Sequence, residues 1–242
     1  MTETAAAPAT APLPLPARIV GVLFSPRETF ANVAQFPRWF GVMAVSMLLF
    51  AGAQAGFLST AVGREASLDQ QVAQMEGFGM TVSDAQFERM REQAKYGPVV
   101  TGVAILVMSP LITAVMAGIL FGVFSGALGG QATFKQVFAI LAHTSVLNIV
   151  QALIVTPLNY VRGTLSSATS IGVFFPMLEE GTFLSNLFGA IDLFIIWSIA
   201  LMAIGLAVLY RKKTGPIFLS LVAVYAVIAI AIAAVKAALG GS

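Results

Sequence analysis

Two ionisable side chains stand inside long runs that hold no other charge. His143 lies in the stretch between Lys135 and Arg162, and Asp192 in the stretch before Arg211. Asn148, Gln151 and Asn159 follow His143, and Gln54, Ser109, Thr113 and Tyr225 occupy the other apolar runs. Polar groups in such surroundings are costly to bury, so they are either paired or put to use. A histidine and a carboxylate together have the chemistry of a proton relay.

Spacing argues against a direct pair. On a helix, His143 stands eight residues past Lys135, about 12 Å along the axis, and Asp192 nineteen before Arg211, about 28 Å. Gln151 is a nearer match for Asp192, at about 24 Å on the same ruler, and Tyr225, about 13–14 Å beyond Pro216, for His143. A structural, hydrogen-bonded histidine is the plainer reading. Asp192 falls in the N-terminal half of its segment, where the helix dipole favours a carboxylate.

Other chemistry is thinly represented. With no cysteine and one histidine, disulfides, thiolate catalysis and His/Cys metal sites are excluded. The chain has no H-E-x-x-H, G-x-S-x-G or P-loop motif. Glu179 and Glu180 are adjacent, so their side chains diverge. The glycines from Gly126 to Gly130 lack the strand and the Lys-Ser/Thr of a phosphate loop. Neither an enzyme nor a cofactor is expected.

The elements that must position these residues are membrane helices. The chain is 58% hydrophobic and 10% charged, whereas a soluble domain carries about 25% charged residues. A net charge of +2 gives no reason to expect nucleic acid; the partner these residues imply is the lipid bilayer. Five spans are predicted, at about 39–62, 98–124, 134–157, 183–210 and 216–235, each long enough for a hydrocarbon core of about 30 Å. The fold class is therefore all-α: a polytopic helical bundle with one membrane domain over 17–238.

Around the spans, residues 1–16 read as a disordered Ala/Pro tail with neither the charge nor the apolar core of a signal peptide. Ser25-Pro26-Arg27-Glu28 opens an N-terminal interfacial helix, with Ser25 as N-cap and Glu28 closing a capping box; Arg18, Arg27 and Arg38 would face headgroups. The polar stretch 64–96 reads as a short helical extracytoplasmic loop, with a helix start at Ser83.

Small residues suggest how the spans pack. Gly52 and Gly56 form a G-x-x-x-G pair, and Gly118, Gly122 and Gly126 repeat every four residues, as helix-packing faces do. Gly129 and Gly130 make a turn, and Thr133 with Gln136 a capping box that starts the next helix. Pro110 should kink the second span. The dense Arg211-Lys212-Lys213 cluster, in a short connection, places the N-terminus in the cytoplasm.

Three blocks carry a family resemblance: LFSPRETFANV before the first span, GALGGQATFKQVFAILAHTSVLNIV across the central turn, and AIDLFIIWSIALMAIGLAV in the fourth. They resemble the bacterial branch of the Yip family (Ypt/Rab-interacting membrane proteins). That resemblance implies five spans, a cytoplasmic-membrane location and no catalytic residues. For eukaryotic relatives it implies membrane traffic and small-GTPase binding. The D-L-Y-G-P-type motif of their N-terminal segment is missing here, which argues against GTPase binding. The expected function is a non-enzymatic scaffold in membrane organisation, alone, as a homo-oligomer, or bound to another membrane protein. The alternative is a small transporter or channel subunit with a polar pathway through Asp192, Gln151, Asn148 and His143.

Overall fold

The computed structural model describes residues 11–165, 168–179 and 181–240. Most of the expected tail, and Glu180 of the acidic pair, lie outside the described residues. Among those described, the structure is helical, and the only strand-like pairing is an isolated antiparallel bridge between Ser170 and Asp192. Five helical stretches are long and apolar enough to cross a bilayer: Phe40–Leu58, Asp84–Ala127 through its apolar part, Phe134–Arg162, Leu193–Tyr210 and Thr214–Leu239. In lipid only a helix or a closed barrel satisfies every backbone group, so these runs are helical. The fold is an all-α polytopic membrane bundle. Its contacts divide into two compact units.

The first unit comprises Met1–Leu48, Leu106–Ile149 and Trp197–Leu221. Where the sequence suggests one interfacial helix, two form: α1 (Leu15–Phe24) and α2 (Pro26–Gln35). Ser25 alone joins them. It does not cap α2 through its side chain, as expected from the capping-box pattern. Its backbone N–H instead closes α1 on the Gly21 carbonyl at 2.8 Å, which sets Ser25 at φ −140° and ψ 55°. Pro26 holds the first position of α2, where a missing N–H costs nothing. The start of the chain is tied down too: Leu13 N–H donates to Asn32 Oδ1 at 3.0 Å, and Asn32 Nδ2 to the Ala11 carbonyl at 2.9 Å.

Beneath α1 and α2 runs α7 (Phe134–Thr144), which packs against both. Val22, Phe30, Val33, Val137 and Ile140 are wholly buried. Thr133 and Gln136 form the expected capping box, and Gln136 Nε2 also donates to the Ala34 carbonyl at 2.8 Å. The third span does not run straight. Thr144 and Ser145 return their hydroxyls to the carbonyls of Leu141 and Ala142, at 2.6 and 2.7 Å, and the helix breaks at Ser145. Such back-bonding competes with the helical ladder. The continuation, α8 (Val146–Arg162), passes through Pro157 rather than ending there.

The paired-glycine turn has two distinct causes. Gly129 has φ +68°, where a side chain would be strained. Gly130 lies under Tyr210, whose ring carbons would meet an added Cβ at 2.5 and 2.6 Å. Tyr210 closes α10 (Leu193–Tyr210). Its ring stacks on Phe124 at 5.1 Å, and its hydroxyl lies 2.9 Å from Ser125 Oγ.

The second unit comprises Leu49–Ile105, Val150–Ile196 and Val222–Ser242. The polar loop holds two helices rather than one. α4 (Ala61–Glu76) follows α3 (Phe40–Leu58) so tightly that a Cβ on Gly63 would lie 2.1 Å from the Phe57 carbonyl oxygen. Thr60 caps α4, and Ser83 caps α5 (Asp84–Gln93) as expected. A short 3-10 turn leads into α6 (Gly97–Phe121), which keeps Pro110 in its interior. The expected fourth span, from 183, is interrupted: α9 (Phe183–Ala190) ends before Ile191, and the helix that spans begins at Leu193. The last span is α11 (Thr214–Gly240), whose Lys236 ammonium lies 5.7 Å from the Phe78 ring centroid.

The small-residue faces are open within the described chain. A Cβ on Gly52, Gly56, Gly118, Gly122 or Gly126 would meet nothing within 4 Å, and all five are exposed. Within the described chain they pack no neighbour. Gly122–Ala127 is moreover a π-helical turn, so Gly126 departs from the four-residue face. Close helix approach occurs instead at glycines such as Gly205, where a Cβ would lie 2.3 Å from Ile140 Cγ2 and 3.3 Å from the Phe30 ring. Gly205→Leu should therefore destabilise the detergent-solubilised protein by about 1–3 kcal/mol, the usual range for overpacking. Gly118→Leu should leave the melting temperature of the isolated chain unchanged. Thermal unfolding of the two variants compares them directly.

Candidate functional site

The polar groups expected inside the membrane divide between the units. His143 and Asn148 belong to the first, Gln151 and Asp192 to the second.

In the first unit His143 is 0% exposed near the end of α7. Its Nδ1 lies 2.7 Å from the Ala139 carbonyl oxygen, and its Nε2 lies 3.3 Å from Arg18 Nη1. A guanidinium can only donate and a carbonyl can only accept. Nε2 therefore accepts and Nδ1 carries the hydrogen, which fixes the neutral Nδ1–H tautomer. Tyr225, proposed by depth as a neighbour of His143, lies in the second unit and donates instead to the Ala190 carbonyl.

Arg18 departs from the position its sequence context suggests. The sequence pattern places it at the headgroups, yet it is only 7% exposed. Its Nη1 also donates to the Arg38 carbonyl, while its Nε has no partner. The reason is α1 itself: the helix lies on α7 and turns Arg18 toward the imidazole, the polar acceptor available there. Burial first, and the Arg38 guanidinium second, lower the Arg18 pKa from the ordinary arginine value. The group stays charged, since arginine does not deprotonate in proteins. A clue was present in the sequence: Leu15–Phe24 is apolar apart from this one charge.

In the second unit Asp192 is 5% exposed and sits at the break before α10 rather than within a span. Its Oδ1 accepts from the backbone N–H groups of Phe194 at 2.8 Å and Ile195 at 3.3 Å, which is N-cap geometry. Its Oδ2 accepts from the Thr169 hydroxyl at 2.6 Å. Backbone bonds from Ile171 N–H to the Ile191 carbonyl (2.8 Å) and from Leu193 N–H to the Thr169 carbonyl (3.1 Å) frame the bridge with Ser170. Asp192 thus joins the segment after α8 to the head of α10. Gln151, half-buried in α8, is not among the hydrogen-bond donors to Asp192, and Asn148 is not a partner of His143. No group of three or more His, Cys, Asp or Glu side chains that could hold a metal occurs among the described residues.

Five apolar spans define an integral membrane protein of the helical, polytopic class; His143, Asp192 and Tyr225 are tied to backbone or to a neighbouring side chain, while the buried Ser46 Oγ and Asn159 Oδ1 have no hydrogen-bond partner among the described residues. The Yip1 domain family matches residues 20–235, nearly the whole chain, and the protein belongs to that family. No curated protein and no solved structure matches it.

The Arg18–His143 contact can be weighed by a double-variant cycle. Arg18→Met leaves a wholly buried imidazole nitrogen without a donor and should cost about 1–3 kcal/mol. His143→Leu added to it should cost clearly less than the sum of the two single changes. Chemical unfolding in detergent measures all three, and strict additivity would mean that the contact contributes nothing.

Proposed function

We propose that this Yip1-domain protein is a non-enzymatic membrane scaffold, acting by organising lipid or by holding another membrane protein. The observation that carries this reading is the use made of its buried polar groups. His143 joins α7 to α1 through Arg18, Asp192 caps α10, and Tyr225 ties α11 to the end of α9. Each is engaged in holding elements of its own unit together. The exposed glycines at 118 and 122 support the second half of the reading, because a helix of another chain can approach closely there. That chain is a second copy or a different membrane protein.

Two measurements test the reading. Gly118→Leu combined with Gly122→Leu should leave the monomer folded yet reduce cross-linking to a neighbouring chain in the membrane; unchanged cross-linking removes the packing role. Reconstituted liposomes should show no ion or solute flux above protein-free vesicles. Flux that vanishes in Asp192→Asn and His143→Ala would establish the transporter reading in its place.

We further infer a bacterial cytoplasmic membrane with the N-terminus inside. Support comes from Arg211, Lys212 and Lys213, which fill the whole connection between Tyr210 and Thr214. Basic residues in so short a connection are retained on the cytoplasmic side. The chain has no cysteine, so single introduced cysteines report without background. In intact cells an impermeant maleimide should label Gln71→Cys in α4 and spare Gln131→Cys in the glycine turn; the opposite pattern inverts the topology.

A further inference from the structure

We propose that one end of the first unit is a binding surface for the anionic phospholipid headgroups of the membrane in which the chain sits. The inference needs only the membrane fold, and it is independent of the scaffold reading and of orientation.

Charge is the first observation. The described residues of the first unit hold Arg18, Arg27, Arg38, Lys135, Arg211, Lys212 and Lys213, but a single acidic residue, Glu28. In the second unit acidic residues outnumber basic ones: Glu65, Asp69, Glu76, Asp84, Glu88, Glu92, Glu179 and Asp192 against Arg64, Arg89, Arg91, Lys95, Arg162 and Lys236.

The fold gathers the basic residues of the first unit rather than scattering them. Tyr210, stacked on Phe124, sets Arg211–Lys213 beside the glycine turn. The positive φ of Arg211, +53°, turns the chain sharply there. The glycine turn leads to Lys135 at the head of α7. The adjacent Gln136 is bonded to Ala34 at the end of α2. From there the chain reaches Arg38, whose carbonyl accepts from Arg18. Arg38, Lys135, Arg211, Lys212 and Lys213 are all exposed. They stand where spans begin and end, which is the level of the headgroups.

The second observation is Arg18. Its two acceptors are a carbonyl and a neutral imidazole, its Nε is unpartnered, and no carboxylate pairs with it among the described residues. The charge that acts on it, Arg38, is of the same sign. A buried guanidinium is normally paired. Arg18 is too buried to meet a lipid itself, but its charge, uncompensated among the described residues, adds to the positive potential of the exposed Arg38, Lys135 and Arg211–Lys213, and a lipid phosphate at the span ends has the charge and the oxygen geometry that these exposed groups bind. Near an anionic leaflet each basic side chain strengthens association by about fivefold.

The test uses the full chain in a mild non-ionic detergent, with phosphatidylglycerol and phosphatidylethanolamine added in equal amounts and the bound lipids counted by native mass spectrometry. The expected result is an excess of bound phosphatidylglycerol of about tenfold or more. Replacing Arg211, Lys212 and Lys213 together by Gln should cut that excess at least several-fold. A matched triple change in the second unit (Arg89→Gln, Arg91→Gln, Lys95→Gln) should leave it intact. All six residues are exposed, and the melting temperature of each triple variant checks that it is folded. Equal binding of the two lipids by the unaltered chain, or equal losses in the two triple variants, overturns the proposal. So does an excess that survives both the first-unit triple change and Arg38→Gln with Lys135→Gln.

Discussion

A polar group taken out of water into an apolar bundle must find its partner within the chain, and much of this structure answers that demand. An unpaired buried donor costs several kcal/mol when the surroundings offer nothing to bond. The Arg18–His143 contact meets it on one side of α7, and the Asp192 cap meets it at the head of α10. Each also performs a placement. The first fixes where α1 lies and which imidazole nitrogen carries hydrogen. The second lets a span begin at Leu193 although apolar sequence continues before it, because a carboxylate terminates the helix where the apolar pattern does not.

The same demand explains which parts of the fold were legible in the sequence. Apolar length is a reliable signal in lipid, so the five spans were evident. Caps are local chemistry, so Ser83 and Thr133 were readable as helix starts. Ser25 carries the same pattern, but its N–H is needed by α1, and a helix ending one residue earlier leaves no trace in a capping motif. The break at Ser145 was hidden for a related reason: Thr144 and Ser145 bond backward to the helix that contains them, and hydropathy does not register it. Hydropathy alone places Asp192 at the depth of a continuous helix, and only the interruption between Ala190 and Leu193 gives it the role of a cap.

Glycines illustrate a different limit. The repeats at Gly52/Gly56 and Gly118/Gly122/Gly126 are the pattern of close helix approach, yet within this chain those faces are open. The approach occurs at Gly205 and at Gly21, where a Cβ would lie 2.2 Å from Thr29 Oγ1; neither belongs to a repeat that the pattern singled out. A repeat records that a backbone can be approached. It does not record by which chain. The closely approached glycines are set by shape, by the bulk of Phe30, Ile140 and Thr29 opposite them, and sequence spacing carries no information about that bulk.

The junction at Ser25 has a mechanical consequence. One residue separates α1 from α2, and its N–H and carbonyl are both engaged, with Gly21 and Thr29. The hairpin therefore has no slack. Lengthening it by a single residue would swing α2 by about 100° about its own axis, one residue's share of a helical turn. Phe30 and Val33 would then point away from α7, and Asn32 would release the chain at Ala11 and Leu13. This corner acts as an indexing stop: it sets the rotational phase of everything laid over α7, and tolerance of insertions should be lowest there.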